Sequence, residues 1–175
     1  MNLRARAAID HTIDVYEGSY VDNKKDPGGE TNFGISSKTY KDIDIKNLKR
    51  EQAVEIYFRD YWEPNRCGEM PAGIGEKVFD ISVNCGRTAA AKMLQRALKA
   101  CGMIDIVDDG IIGDKTMGTL KKADPLCVKA ALTAEHAAYY RALVGQRPEL
   151  LVFINGWLNR AYGVSHETNS GSARK

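Results

Sequence analysis

The stretch VYEGSYVDNKKDPGGETNFGIS, residues Val15 to Ser36, decides how the N-terminal part of the chain folds. Residues 3–17 carry apolar side chains at helical spacing, and Gly18 stands where a glycine commonly follows the end of a helix. Residues 18–36 are rich in Gly, Asp and Asn, which is typical of a loop or short hairpin, and TNFGIS within them favours a strand. We therefore predict a helix that ends beside a polar loop.

The rest of the chain predicts a mainly α protein. Further helices are predicted over residues 48–62, 71–86, 88–102, 114–123, 125–145 and 148–162. Thr88, Asp114 and Asp124 are suited to cap helix N-termini. Pro125 and Pro148 are suited to the first turn of a helix, where their missing N–H costs no hydrogen bond.

No internal repeat or long linker divides the 175 residues. We predict a first region over residues 1–92, which contains the polar loop, and a helical region over residues 93–165, packed as one unit. The polar residues 166–175 predict a disordered tail.

Charge and hydropathy exclude several classes of partner. The formal net charge of +2 gives no argument for a nucleic-acid partner. No run of about 18 apolar residues predicts a membrane span, so we expect no stable membrane insertion. The N-terminus lacks the apolar core of a signal peptide, so we expect synthesis in a cytoplasm and export by another route.

Cysteines 67, 85, 101 and 127 form no CxxC pair, and the histidines are scattered. This pattern argues against a zinc site, and no cofactor is expected. Buried free thiols are the favoured interpretation, and a disulfide formed after export is the open alternative.

Glu17 lies in the last turn of the first predicted helix, where the negative end of the helix dipole disfavours another negative charge. Val15, Tyr16 and Tyr20 offer apolar cover. Both effects would raise the pKa of the carboxyl, and a glutamate that stays protonated near neutral pH can act as a general acid. A solvated glutamate at a helix end is commoner, so Glu17 alone does not establish an active site.

Two further loop residues complete a possible catalytic set. Asp26 should stay ionised as a base, and the Thr31 hydroxyl can hold a water. Acid, base and held water are what an inverting glycosidase needs, with the two carboxyls roughly 6.5–9.5 Å apart. Asp22 and Glu30 are rivals for the base, and Asp26 could simply form an Asx turn before the following Pro-Gly-Gly.

This loop closely resembles the N-terminal motif of glycoside hydrolase family 108, the phage and prophage muramidases. That motif reads roughly EGGY, a few residues, DPGG and then T-x-x-GI. The stretches REQAVEIYFRDYW and VFDISVNCG also resemble the family, so the resemblance covers about residues 5–90. In the family the glutamate of EGGY is the catalytic acid, which falls on Glu17.

The partners of Glu17 follow from a more distant likeness to phage-type lysozymes. This likeness assigns Asp26 and Thr31 as the partners. In the phage-type lysozymes the gap between the aspartate and the threonine is one residue longer than in this chain. Ser19 stands where family 108 usually has glycine. If that position needs a positive φ, serine strains the turn.

The resemblance implies a lysozyme-like helical fold with a small loop or hairpin element near the N-terminus. It implies a muramidase that cleaves the β-1,4 bond between N-acetylmuramic acid and N-acetylglucosamine. It also implies an endolysin that acts in the periplasm and cell wall, with a holin-type export partner. A lytic transglycosylase using Glu17, a non-catalytic wall-binding module, and the choice between retention and inversion stay open.

Glycan strands of peptidoglycan present apolar sugar faces and polar groups, so their cleft needs aromatic platforms and amide partners. The candidates are Tyr20, Phe33, Tyr57, Trp62, Asn84 and Trp157. Core packing is an equal alternative for Tyr57 and Trp62, and helix capping is one for Asn84. Asn84 also resembles the Asn-x-Gly helix end that faces the cleft in phage-type lysozymes.

The second half carries DDGIIGDKT and FINGWLNRAYG. These stretches resemble the predicted peptidoglycan-binding module that commonly follows the family 108 domain. The DG-x-x-G-x-x-T pattern equally fits a tight turn that feeds a helix, without any ligand. Trp157 and Arg160 could contact glycan or pack against the protein.

Overall fold

The computed structural model describes residues 1–17, 20–21 and 29–163. Its α-helices are α1 Leu3–Thr12, α2 Arg50–Tyr57, α3 Ile74–Cys85, α4 Arg87–Ala100, α5 Asp114–Leu120, α6 Pro125–Gln146 and α7 Ile154–Tyr162. Short 3-10 helices span Cys67–Glu69 and Pro148–Phe153, and strands β1 Thr31–Asn32 and β2 Ile35–Ser36 form an antiparallel hairpin. The predicted mainly α, lysozyme-like fold with a small N-terminal hairpin is confirmed. Within the described ranges, no helix is long and apolar enough to cross a membrane.

The first two predicted helices end in π-helical turns. α1 continues into Ile13–Glu17, and α2 continues into Phe58–Trp62. Single π turns are rare and occur frequently at functional sites, because the wider turn changes the direction of the side chains that follow it. The turn that carries Glu17 therefore differs from the plain α-helical turn that the sequence predicted.

Several predicted helix starts need correction. Gly86 separates α3 from α4 with φ +88°, and α4 begins directly after it, so Thr88 lies inside the helix and does not cap it. Asp114 is the first residue of α5 rather than its cap. Asp124 does cap α6, because its carboxylate accepts a first-turn backbone N–H bond of 3.0 Å. Pro148 opens a 3-10 helix, and α7 begins only after it.

α1 lies beside α3. Arg4 near the start of α1 forms an ion pair with Glu76 near the start of α3, at 2.6 Å. Thr12 further along α1 lines a cleft together with Glu76 and Asp80 of α3.

One cluster of buried apolar residues extends from Ala5 to Leu132 and joins α1 to α6, and a second, smaller cluster packs α7 against α6. Ion pairing adds to this connection, since Arg160 of α7 contacts Asp80 of α3 at 2.9 Å. The predicted division at residue 92 falls inside α4 and stays a prediction. The predicted tail, residues 166–175, lies outside the described residues.

Two of the four cysteines are bonded to each other. Cys101, directly after α4, forms a disulfide with Cys127 in the first turn of α6. Cys67 is a buried free thiol and Cys85 a half-buried one. The preferred interpretation of four free thiols was therefore wrong for Cys101 and Cys127, because α4 and α6 pack side by side and bring these two ends together.

Candidate active site

The chain leaves the helix at Glu17 and reaches the hairpin within four residues. Val21 pairs with Thr31 through two backbone hydrogen bonds of 2.8 and 2.9 Å. Four residues span at most roughly 14 Å, so the end of the π turn lies near this pairing. Ser19, Asp22 and Asp26 lie outside the described residues, and the roles predicted for them stay predictions.

The TNFGIS stretch forms a hairpin rather than a single strand. Asn32 pairs with Ile35, so only two residues connect β1 to β2. Phe33 and Gly34 both have positive φ, +51° and +75°. Positive φ at both positions is the signature of a type I′ turn, whose twist suits a two-residue hairpin.

Polar contacts anchor the hairpin to the helical part. Asn32 is only 7% exposed, and its side-chain N–H donates to the carbonyl oxygen of Ile45 at 3.1 Å. The Tyr57 hydroxyl of α2 donates to the carbonyl oxygen of Phe33 at 2.9 Å. The hairpin is therefore held to α2 from one side, and Val21, four residues after Glu17, pairs with its first strand.

The structure brings three of the predicted residues together beside the hairpin. The Tyr20 hydroxyl donates to the Glu30 carboxylate at 3.2 Å. Thr31 follows directly and begins β1, half-buried between Val21 and Ser36. Tyr20, Glu30 and Thr31 thus lie close together, although residues 22–28 separate Tyr20 from the other two in sequence.

The predicted aromatic platforms fall into two groups. Tyr57 and Trp62 are 2% and 3% exposed and pack around Phe79. Their positions agree with the alternative that they pack in the core. A sugar platform needs an open ring face, and these two rings offer none. Tyr20 is 37% exposed, whereas Phe33 is half-buried.

Asn84 and Trp157 meet at a residue that sequence reasoning missed, Tyr140. Asn84 is exposed near the end of α3, and its Oδ1 accepts a 2.5 Å hydrogen bond from the Tyr140 hydroxyl. Trp157 stacks on the Tyr140 ring with centroids 5.2 Å apart. His136, one turn before Tyr140 on α6, lies 2.9 Å from the same hydroxyl. The sequence offered one signal: His136 and Tyr140 are four residues apart and so lie on the same face of the predicted helix.

The DG-x-x-G-x-x-T motif is organised around one buried amide. Gln95 is 1% exposed, and its Nε2 donates to Asp109 at 2.7 Å and to Thr116 at 3.2 Å. Its Oε1 accepts from the Gly110 backbone N–H at 3.0 Å. These contacts account for the motif as a turn that feeds α5, and they leave the Gln95 amide fully engaged.

His136 is fully buried among cationic neighbours. Burial, and then the positive charges of Lys77 and Arg160, lower the pKa of His136 from 6.5 to about 3. The imidazole is therefore neutral in the folded protein at neutral and mildly acidic pH. In the unfolded chain it takes up a proton near its ordinary value of about 6.5.

This difference predicts acid sensitivity. Between pH 6.5 and pH 3 the unfolded chain binds one more proton at His136, so the free energy of unfolding falls as pH falls. The His136 contribution to this loss is about 2 kcal/mol between pH 7 and pH 5. Urea titrations at the two pH values should show it, and His136→Gln should flatten the dependence while His11→Gln, on the exposed face of α1, should not. An equally steep dependence in His136→Gln would contradict this origin.

Comparison with known proteins agrees with this architecture. Residues 10–86 match the family described as Glycosyl hydrolase 108, and residues 89–162 match the family described as Predicted Peptidoglycan domain. The fold is similar to the structure of Brucella abortus SagA, with a TM-score of 0.68 and 26% sequence identity over 94% of this chain and 97% of that chain. No curated protein sequence matches the chain. The chain thus combines a glycosyl hydrolase 108 domain, which contains the Glu17 loop, with a predicted peptidoglycan domain, and is a glycoside hydrolase that acts on peptidoglycan.

Proposed function

We propose that the chain is a muramidase that cleaves the β-1,4 bond between N-acetylmuramic acid and N-acetylglucosamine. The observation that carries the proposal is the position of Glu17, at the end of a π turn and four residues from the pairing of Val21 with Thr31. A glycan strand bound here would pass between the end of the π turn at Glu17 and the hairpin. The biological role proposed with it is that of an endolysin, made in the cytoplasm and released to the wall through a holin-type route.

In the proposed mechanism Glu17 donates its proton to the leaving glycosidic oxygen. A carboxylate of the following loop takes a proton from water, and the Thr31 hydroxyl holds that water. Asp26 is the proposed base. Glu30, which lies among the described residues, is an alternative candidate for the base. Glu30 accepts a hydrogen bond from Tyr20, which occupies part of its capacity to accept a proton from water.

The base assignment predicts an order among three substitutions. Asp26→Asn should lower kcat by about a hundredfold, as expected for loss of a general base, with the fold retained. Asp22→Asn and Glu30→Gln should stay within a few-fold of wild type in the same assay of soluble reducing ends. A near-normal Asp26→Asn beside an inactive Asp22→Asn or Glu30→Gln would move the base to that residue.

Product analysis tests the proposed activity against its alternatives. Purified sacculi are digested and the soluble fragments identified by mass spectrometry. A muramidase leaves reducing N-acetylmuramic acid ends. Anhydro ends would assign a lytic transglycosylase, and sacculi that bind the protein without releasing fragments would assign a wall-binding module.

A further inference from the structure

A cleft of about 660 Å³ lies where the two domains meet. One wall comes from the glycosyl hydrolase domain, between Asp60 and Asn65, and the other comes from the start of α4 and the turn at residues 110–112. Clefts of this size at domain interfaces are common places for a ligand to bind. The mechanism proposed above uses no residue of this cleft, so its chemistry is a separate question.

The turn of the DG-x-x-G-x-x-T motif lies directly against α4. Gly110 has a φ of +83°, and a Cβ atom there would lie 2.8 Å from Cγ2 of Thr88. Glycine suits this position because it accepts the positive φ and adds no Cβ atom at the close approach. Ile111 follows at once, lines the cleft and is 67% exposed. The motif therefore presents an apolar side chain to a ligand in the cleft.

The cleft also contains a cation that the described part of the chain does not neutralise. The Arg87 guanidinium is exposed and makes no ion pair or hydrogen bond with the described residues. Asp60 lines the other wall, but its carboxylate is already bound by Arg59 at 2.7 Å and by the Tyr40 hydroxyl at 2.9 Å. The remaining described residues that line the cleft are uncharged. Arg87 is therefore available to pair with an anion.

The first turn of α4 adds hydrogen-bond donors beside this cation. Arg87 is the first residue of the helix, Gly86 precedes it, and no side chain caps the helix. The N-terminus of a helix has free N–H groups and a partial positive charge, which favour a carboxylate or a phosphate. The charge and the donors thus lie at the same end of the cleft.

A buried acceptor lines the cleft from the other wall. Asn65 is 3% exposed, its Nδ2 donates to the carbonyl oxygen of Tyr61 at 2.6 Å, and its Oδ1 accepts no hydrogen bond among the described residues. Oδ1 still reaches solvent, because His136 Nδ1 is the one fully buried side-chain polar atom without a partner in the described ranges. A ligand that satisfies the cleft therefore brings an N–H or O–H group for Asn65 as well as an anion for Arg87.

We propose that this cleft binds the peptide stem of peptidoglycan, with a stem carboxylate on Arg87 and the first turn of α4. A peptide supplies each group that the cleft selects: a carboxylate, a backbone N–H for Asn65 Oδ1 and small apolar side chains for Ile111. An N-acetylated glycan strand is uncharged and would leave Arg87 without a partner. The site depends on peptidoglycan as the substrate and not on which glycosidic bond is cleaved.

Titration of the isotope-labelled full chain with a free stem peptide tests the site. The probe is L-alanyl-γ-D-glutamyl-diaminopimelate, and the backbone amide resonances of Arg87, Thr88 and Ile111 should show saturable shifts. Arg87→Gln should weaken binding by about tenfold, as expected for loss of a charge-assisted hydrogen bond. The matched control is Arg147→Gln, which makes the same change at an exposed arginine directly after α6, outside the cleft lining, and should bind as wild type does.

Changes to the ligand test each contact on the intact protein. With the stem carboxylates converted to amides, wild type and Arg87→Gln should bind equally weakly, and a persistent difference would overturn the carboxylate pairing. Acetate should bind at least about tenfold more weakly than the peptide, because it has no N–H for Asn65, and equal affinity would overturn the peptide assignment. A peptide-free N-acetylglucosamine oligomer that shifts the same resonances with the affinity of the peptide would overturn the proposal in favour of a glycan site.

Three further results would overturn the proposal. They are a wild type without shifts, an Arg87→Gln protein that binds as tightly as wild type, and an Arg147→Gln loss as large as that of Arg87→Gln. The titration requires no turnover, so a protein that is inactive on sacculi leaves it valid. A failed titration in turn leaves the proposed muramidase activity standing.

Discussion

Glu17→Gln is expected to lower the rate of peptidoglycan hydrolysis by about a thousandfold and leave the fold intact. Loss of a general acid typically costs between about a hundredfold and ten-thousandfold, because the leaving oxygen must then depart unprotonated. Glutamine keeps the size and polarity of the side chain and removes only the transferable proton. The rate is measured as soluble reducing ends released from purified sacculi.

The matched control for this substitution is Glu55→Gln. Glu55 is an exposed glutamate on α2 and belongs to the same domain, so the same chemical change is made away from the loop. It should retain wild-type activity. Circular dichroism and thermal unfolding should coincide for wild type and both variants. A Glu17→Gln protein that is folded and active within tenfold of wild type would remove Glu17 from the mechanism.

Loss of the disulfide is expected to cost about 3.5 kcal/mol of unfolding free energy. Cys101 and Cys127 are 26 residues apart in sequence, and the bond holds the end of α4 against the start of α6 around α5. In the chain-entropy description, closing a loop of this length restricts the unfolded chain by about that amount. The Cys101→Ser/Cys127→Ser double variant should therefore have a clearly lower urea midpoint.

Reductant supplies the control for the disulfide prediction. It should lower the midpoint of the wild type to near that of the double variant and leave the double variant unchanged. The same two results should be obtained when the fraction of folded protein is followed by its remaining activity. If reductant leaves the wild-type midpoint unchanged, the bond does not contribute to stability as expected.

Local signals in the sequence were sufficient for much of the fold. Apolar spacing located the helices, and Asp124 followed by Pro125 located the start of α6. TNFGIS was predicted as one strand and forms a hairpin, because Phe33 in the turn gives no local sign of the positive φ that it adopts. Helix starts that depend on the preceding chain could not be located in this way. α4 begins directly after Gly86, which ends α3, so Thr88 lies inside the helix and does not cap it.

The parts that the sequence left open depend on contacts between distant residues. The Cys101–Cys127 bond requires knowing that α4 and α6 pack together. The burial of Trp62 depends on Phe79 and Arg4, which contact it from α3 and α1. The spacing of His136 and Tyr140 was the only local signal at Tyr140, and it does not show that α6 places the Tyr140 hydroxyl beside Asn84.

Digestion of purified sacculi in water enriched in oxygen-18 tests the proposed muramidase activity most directly. General acid–base hydrolysis predicts one heavy oxygen per cleaved bond, located on C1 of a reducing N-acetylmuramic acid end. Fragment mass spectrometry locates that oxygen. Unlabelled anhydro ends, or a label on a reducing N-acetylglucosamine end, would contradict the proposed activity.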